Sequence, residues 1–373
     1  MITIYLYIIL AMLSFFVLIT LINVLTAPLV RRGPAPPAKP LVSICIPVRN
    51  ERDNIGRCLL SLVQQDYPNL EILVLNDHST DGTLEEIYKI AHPSITVIPG
   101  KDLPVGWTGK NWACHQLSKQ ANGEFFIFTD ADNFYESFAV SRTLGWMQRL
   151  QLSLFSAFPQ QTTQTLGEKL VIPVIDMFVY SFLVLRFTYL LDFTSMAAAN
   201  GQWLAFSRRG YERIGGHITV KSHIVEDTEL ARRAKQKGEK ILTAAGSGAV
   251  YGHMYHSWQE VWLGFSKNVY GLMGYHFAGL ILFLVLLFSV YLAPWILVWF
   301  QDFYLLALSA IGIAILQRGV LALKFKHPFG ASTLLNPLGI VSVMAIAVHS
   351  CIRYHTGSIQ WKGRTVEFSK DQS

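Results

Sequence analysis

Charge is what this sequence has least of. Only 15% of its 373 residues are Asp, Glu, Lys or Arg, while 51% are hydrophobic and 13% aromatic; an ordinary soluble domain carries about 25% charged residues. A disordered chain, a nucleic-acid-binding arm and a typical cytosolic enzyme are poor matches to that composition, so no nucleic-acid partner is expected. Cysteine is scarce too. The four present (Cys45, Cys58, Cys114, Cys351) form no CxxC pair and no framework spacing, which argues against a disulfide scaffold or a zinc site and for a reducing compartment. Several catalytic signatures are also missing. Lys110 follows Gly109, but no Gly stands where a P-loop needs its first one and Asn111 replaces the Ser or Thr, and neither a GxGxxG after a strand nor a GxSxG elbow occurs.

What the chain does have is apolar length at both ends. Residues Met1–Leu25 contain no charge and exceed the ~20 residues a spanning helix needs. Arg31 and Arg32 follow, a basic flank that the positive-inside rule assigns to the cytoplasm. We therefore expect an anchor over 1–27, uncleaved for want of a small-residue cleavage site. Residues 28–40 follow, where Pro34, Pro36, Pro37 and Pro40 predict a stiff connector. From residue 276 to 352 the chain is apolar again, with candidate spans at Phe277–Phe300, Phe303–Leu323 and Leu335–Cys351. Lys324 and Lys326 ask for the break between the last two to lie inside, and the basic tail 353–373 asks the same. A full crossing by the third segment cannot satisfy both, and Asn336-Pro337 and Gly339 leave a kinked or re-entrant path open. A further apolar stretch, 170–193, is broken by Pro173, Asp176, Arg186 and Asp192. That is too many ionisable groups for a span, so it reads as an interfacial helix or a buried core helix. The expected location is a multi-pass cell-membrane protein with its polar domain, 41–275, in the cytoplasm.

Within 41–275 short apolar runs alternate with helical patterns. Leu41–Val48, Leu70–Leu75, Ile95–Ile98, Phe125–Phe128 and Leu152–Phe158 read as buried strands, and Asp53–Gln65 and Leu84–Ile90 as helices. The expectation is an α/β fold, a mostly parallel sheet with helices on both faces. Such sheets bind ligands beyond the carboxyl ends of their strands. Polar clusters stand there: Arg49-Asn50-Glu51, Asn76-Asp77-His78 and Asp130-Ala131-Asp132. Two carboxylates one residue apart at the rim of a sheet suit Mg2+ or Mn2+, which take oxygen ligands and fill their shell with phosphate and water. A second cluster, Glu226-Asp227 with Glu229, opens a helical pattern. It offers a general base for an attacking hydroxyl, although acids in a first helical turn are also explained by the macrodipole alone.

Three ordered phrases resemble the signature of family 2 glycosyltransferases, which have the GT-A fold. They are PVRNERDNIGRCLLSLVQQDYPNLEILVLNDHSTDGT (47–83), FTDADN (128–133) and VEDTELARRAKQKG (225–238). GWTGKNWACHQ (106–116), IGGH (214–217), GFSKN (264–268) and WKGRT (361–365) are similar to membrane-anchored members that glycosylate carotenoid-type lipids, of the diaponeurosporenoate and chlorobactene type, and to hopanoid-associated and ceramide relatives. The resemblance implies a nucleotide-sugar donor, UDP-glucose by preference, a lipid acceptor, a divalent cation and an inverting displacement. It implies that Glu51 and Asp77 contact the nucleoside and Lys110 the base or diphosphate. Asp130 and Asp132 lie near sugar and metal, Asp227 is the base with Glu226 beside it, and Lys362 and Arg364 close over the diphosphate. Two positions depart from the family: His253 stands where Arg is common, and Val366 where Tyr follows WKGRT. The rival readings are a processive polysaccharide synthase, which usually carries QxxRW where this chain has SWQEVW at 257–262, and a non-enzymatic membrane scaffold.

Overall fold

The computed structural model describes residues 1–357 together with the short strands 360–361 and 364–365, the latter by backbone alone. Its centre is a seven-stranded sheet: β1 (Val42–Val48), β2 (Leu70–Asn76), β3 (Ile95–Pro99), β4 (Phe125–Phe128), β5 (Leu154–Phe158), β6 (Leu204–Ser207) and β7 (Ile241–Ala245), in the order β3-β2-β1-β4-β6-β5-β7. Only β6 runs antiparallel to its neighbours. The continuous apolar runs are explained by burial on both faces. Alternate residues of one strand enter different cores, Ile44 and Ile46 one and Cys45 the other, and Val74 parts from Leu73 and Leu75 in the same way. The strand order reverses between β1 and β4, and there the crevice for a ligand opens.

The apolar ends form a third core. Helix α1 (Ile2–Thr26) buries Leu6, Ile9 and Leu13 against a bundle built from the C-terminal half of the chain. Among the described residues, four helices are long and apolar enough to cross a membrane: Ile2–Thr26, Phe277–Leu297, Gln301–Phe325 and Asn336–His355. Lys324 lies within electrostatic reach of Arg31 and Arg32, so the basic flanks of two of these helices share one end of the bundle. Segment 28–40, expected to act as a connector, is fastened to the α/β domain. Leu29 bridges to Ala245, the Trp146 indole donates to the Leu29 carbonyl, and Arg142 to that of Gly33.

The ambiguous stretch at 170–193 becomes helix α2 (Leu166–Phe182) and a short turn of helix, Phe187–Leu190. A capping box starts α2: Thr165 accepts from the Glu168 N–H while Glu168 accepts from that of Thr165. Its polar interruptions are matched from afar. Arg318 donates to the Pro173 carbonyl at 2.7 Å, Asp176 pairs with His327 at 3.2 Å, and Asn23 donates to the Tyr180 and Leu183 carbonyls that end the helix. One face of α2 joins the bundle core through Val171, Val174 and Met177. The stripe Ile172, Ile175, Asp176 and Val179, at helical spacing, faces the cleft described next.

Candidate active site

The exits of β1 and β2 interlock. Arg49 donates to the Asp77 carbonyl at 2.7 Å, and its guanidinium lies 3.9 Å from that carboxylate. Asn50 and His78 both sit at φ 53°, a left-handed conformation that costs a non-glycine residue on the order of 1 kcal/mol or more. Cross-links between the loops offset that strain. The Asn50 N–H donates to the Ser79 hydroxyl at 3.1 Å, the Thr80 N–H donates to the Asn50 side chain at 2.9 Å, and the Glu51 N–H donates to the Thr83 hydroxyl at 2.8 Å. Glu51, the N-cap residue of the helix Arg52–Val63, and Asp77 therefore face one crevice although 25 residues separate them.

The exit of β4 meets two elements distant in sequence. The first turn of helix α3 (Gly109–Gln120) carries Lys110, whose ammonium lies 2.9 Å from Asp130 Oδ1 and 3.2 Å from Glu226 Oε1. Glu226 and Asp227 form the first turn of helix α4 (Glu226–Gln236). Asp227 is fixed by two backbone donors, Gly201 N–H at 2.7 Å and Thr228 N–H at 2.6 Å. Gly201 makes this convergence possible. A Cβ there would stand 3.0 Å from Lys110 Nζ, 3.3 Å from Glu226 Oε1 and 3.5 Å from Asp227 Oδ2. Next to it, the Gln202 carbonyl accepts from Thr129 and Asn133, the residues flanking the Asp130–Asp132 turn.

Electrostatics follow from this crowding. Burial, reinforced by repulsion from Glu226, pushes Asp227 up to about 7 against the opposing pull of Lys110 and the two backbone N–H groups. Burial also works against the Lys110 charge, but Asp130 and Glu226 outweigh it and hold its pKa well above the ordinary value. The ammonium is therefore a permanent cation between two carboxylates.

Glu51, Asp77, Lys110, Asp130, Asp132, Glu226 and Asp227 all line one cleft of about 1370 Å³. Lys362 lies outside the described residues, and Arg364 is described only as a backbone partner of Trp361. Lys110, expected at a nucleotide's base or diphosphate, is engaged by carboxylates here. His253 does not line the cleft: its ring packs against Glu168, Nε2 3.3 Å from Oε1, and its N–H donates to the Asp132 carbonyl at 3.2 Å. His217 is buried with its Nδ1 2.7 Å from the Tyr211 hydroxyl. Burial, helped by Lys110, pushes it down to about 3, so it is a neutral packing residue. Sequence reasoning passed over Gly201 and Gln202; the turn dipeptide Asn200-Gly201 before the apolar run of β6 was the available signal.

Among the described residues no third His, Cys, Asp or Glu completes a protein cage around Asp130 and Asp132. An all-oxygen pair suits Mg2+ or Mn2+, which keep several positions for phosphate and water, and suits zinc poorly.

Residues 43–187 match the family model described as glycosyl transferase family 2. Over 345 residues, 89% of this chain and 89% of the relative, the sequence is 25% identical to 4,4'-diaponeurosporenoate glycosyltransferase of Staphylococcus aureus, strain USA300, and equally to that of strain NCTC 8325. The fold is similar to that of the mannosyltransferase PcManGT from Pyrobaculum calidifontis, solved in complex with GDP-Man and Mn2+. That match has TM-score 0.55 and 20% identity, covering 94% of this chain and 98% of the other.

Proposed function

We propose that this chain, a glycosyltransferase of family 2 with a GT-A type fold, moves a hexose from a nucleoside-diphosphate sugar, UDP-glucose by preference, to the polar end of a membrane lipid of the carotenoid class, inverting the anomeric carbon. One observation carries the reading. A single cleft joins the carboxylates at the strand exits to an apolar wall made by Ile172, Ile175 and Val179 of α2 and by Leu263 and Leu272 of helix α5 (Trp258–Leu272). A soluble donor can enter at the polar end, and a lipid's polar group can reach the same point without its chain leaving apolar surroundings.

In this mechanism Glu51 and Asp77 hold the nucleoside at the β1 and β2 exits. Asp132, with Asp130 behind it, would ligate a bound Mg2+ or Mn2+, whose chemistry is to neutralise charge on the leaving diphosphate. Asp227 takes the proton from the acceptor hydroxyl as its oxygen bonds to the anomeric carbon, and the bond to the diphosphate breaks on the opposite face. A base with a pKa near 7 is well matched to that proton transfer near neutral pH. Lys110, always protonated, keeps Asp130 and Glu226 together and transfers no proton itself. Lys362 and Arg364 are proposed to close over the diphosphate, which requires the tail on the same side as the domain. The shared end of Lys324, Arg31 and Arg32 supports a cytoplasmic domain.

The test is transfer of labelled glucose from UDP-glucose to carotenoid acceptors in membranes, with lipid extracts searched by mass spectrometry for a hexose increment. Asp227→Asn should lower turnover by about 10²–10⁴-fold while binding the donor as before. Normal turnover by that variant on a hydroxyl acceptor removes the base assignment, since a carboxylic-acid acceptor is already ionised and needs no base, and no labelled lipid with any acceptor removes the function.

A further inference from the structure

The phrase Thr108-Gly109-Lys110-Asn111 fails as a P-loop, and Lys110 accounts for only part of it. Asn111 is fully buried. Its side-chain NH2 donates to the carbonyls of Val220 at 2.7 Å and His223 at 2.9 Å, with that of Lys221 at 3.3 Å. Three acceptors facing one nitrogen fix the orientation of the amide. The Thr108 N–H adds a bond to the Lys221 carbonyl at 2.8 Å. Meanwhile the amide oxygen of Asn111 has no hydrogen-bond partner among the described residues. A buried amide oxygen left without a donor is costly, so this side chain is not optimised for its own satisfaction. The segment it grips, 220–223, leads directly into Glu226 and Asp227 and has no sheet to hold it.

We propose that Asn111 is a positioning residue for the base Asp227: by capturing the 220–223 backbone it sets where α4 begins, and so where the Asp227 carboxylate stands relative to Gly201 and Lys110. Lys110 and Asn111 then work as a pair on consecutive residues of α3. One fixes Glu226 through its charge, and the other fixes the approach to it through the backbone. Without the amide, the first turn of α4 keeps its helical bonds but loses its registry with β4. The donor-binding residues at the β1 and β2 exits are held by one another, Arg49 on Asp77, Asn50 on Ser79 and Glu51 on Thr83, so their geometry stays.

The proposal rests on the transfer reaction argued above, and its test separates the two. Asn111→Ala should lower kcat about 10- to 100-fold, as expected when a reacting group drifts by up to about 1 Å, with KM for the donor within about twofold of wild type. In an Asp227→Asn background the same substitution should cost less than about twofold, because the group it positions is already gone. A purely structural role gives equal losses in both backgrounds, or a higher donor KM, and either result overturns the proposal, as does an unchanged kcat. If Asn111→Ala yields no folded protein, Asn111→Ser, which retains one donor, enters the same cycle with the same criteria. A wild-type chain that transfers no sugar overturns the function instead, and an Asp227→Asn variant at wild-type rate removes the base assignment and this proposal with it.

Discussion

Gly201→Ala adds one methyl group at the point where three charged side chains converge. The new carbon would lie 3.0 Å from Lys110 Nζ, about 0.5 Å inside the ~3.5–4.0 Å optimum for such a contact. The lysine tip can yield, but it is tied to Asp130 at 2.9 Å and Glu226 at 3.2 Å, so any retreat lengthens those links or drags the carboxylates with it. A displacement of about 1 Å can cost on the order of 10²-fold in rate. Half of that on a logarithmic scale is about 10-fold, or ~1.4 kcal/mol in the barrier. Folding should hardly register the change. Gly201 is not among the glycines at positive φ, so alanine fits the backbone, and the reduced freedom of the unfolded chain contributes about 0.4–1 kcal/mol in the opposite direction to the strain. The expected signature is a roughly 10-fold fall in kcat, with donor KM and thermal midpoint nearly unchanged, measured by transfer kinetics and a melting curve on the same preparation. Gly56→Ala is the control: a Cβ there meets nothing within 4 Å, and alanine inside a helix is worth about 0.5–1 kcal/mol. Full activity in Gly201→Ala, or activity lost only through unfolding, refutes the claim that this glycine sets the spacing of the acids.

Three further outcomes are expected. Because Asp227 must be ionised to accept a proton and burial holds it up to about 7, kcat/KM should rise with pH through that value and level off above it; a flat profile from about pH 5.5 to about 8.5 is incompatible with this base. Chelation should abolish transfer and Mn2+ or Mg2+ should restore it, with Asp132→Asn needing roughly 10-fold more metal or above; chelator-resistant turnover counts against a metal. Val179→Lys, which puts a charge on the cleft-facing stripe of α2, should cut transfer to lipid while leaving donor binding intact. Unchanged lipid transfer would exclude that wall as the acceptor's path.

The legible part of the site was the part carried by short-range chemistry. FFIF followed by Asp130 and Asp132 could be read as carboxylates at a sheet rim because a buried strand and its exit are contiguous, and Asp227 could be read from the acids opening one helix. The exits holding Glu51 and Asp77 were legible for the same reason. The bond between Lys110 and those acids was not, because Asp130 lies 20 residues and Glu226 more than a hundred residues further along the chain, and no local pattern encodes a distance across the sheet. Asn111 was read only as a mismatch to a P-loop, since a buried amide gives no sequence signal of the carbonyls it will meet.

Hydropathy by itself determined that the ends of this chain are apolar helices and the middle a buried sheet, because burial of apolar surface acts on each segment's own composition. It could not decide the fate of residues 170–193, where Pro173, Asp176, Arg186 and Asp192 argued against a span and left an interfacial helix and a buried core helix both open. Arg318, from a distant helix, donates to the Pro173 carbonyl, and His327, just after that helix, pairs with Asp176. Only the tertiary structure decides such cases, because the cost of burying a polar group depends on whether a partner arrives, and the partner is chosen by the fold.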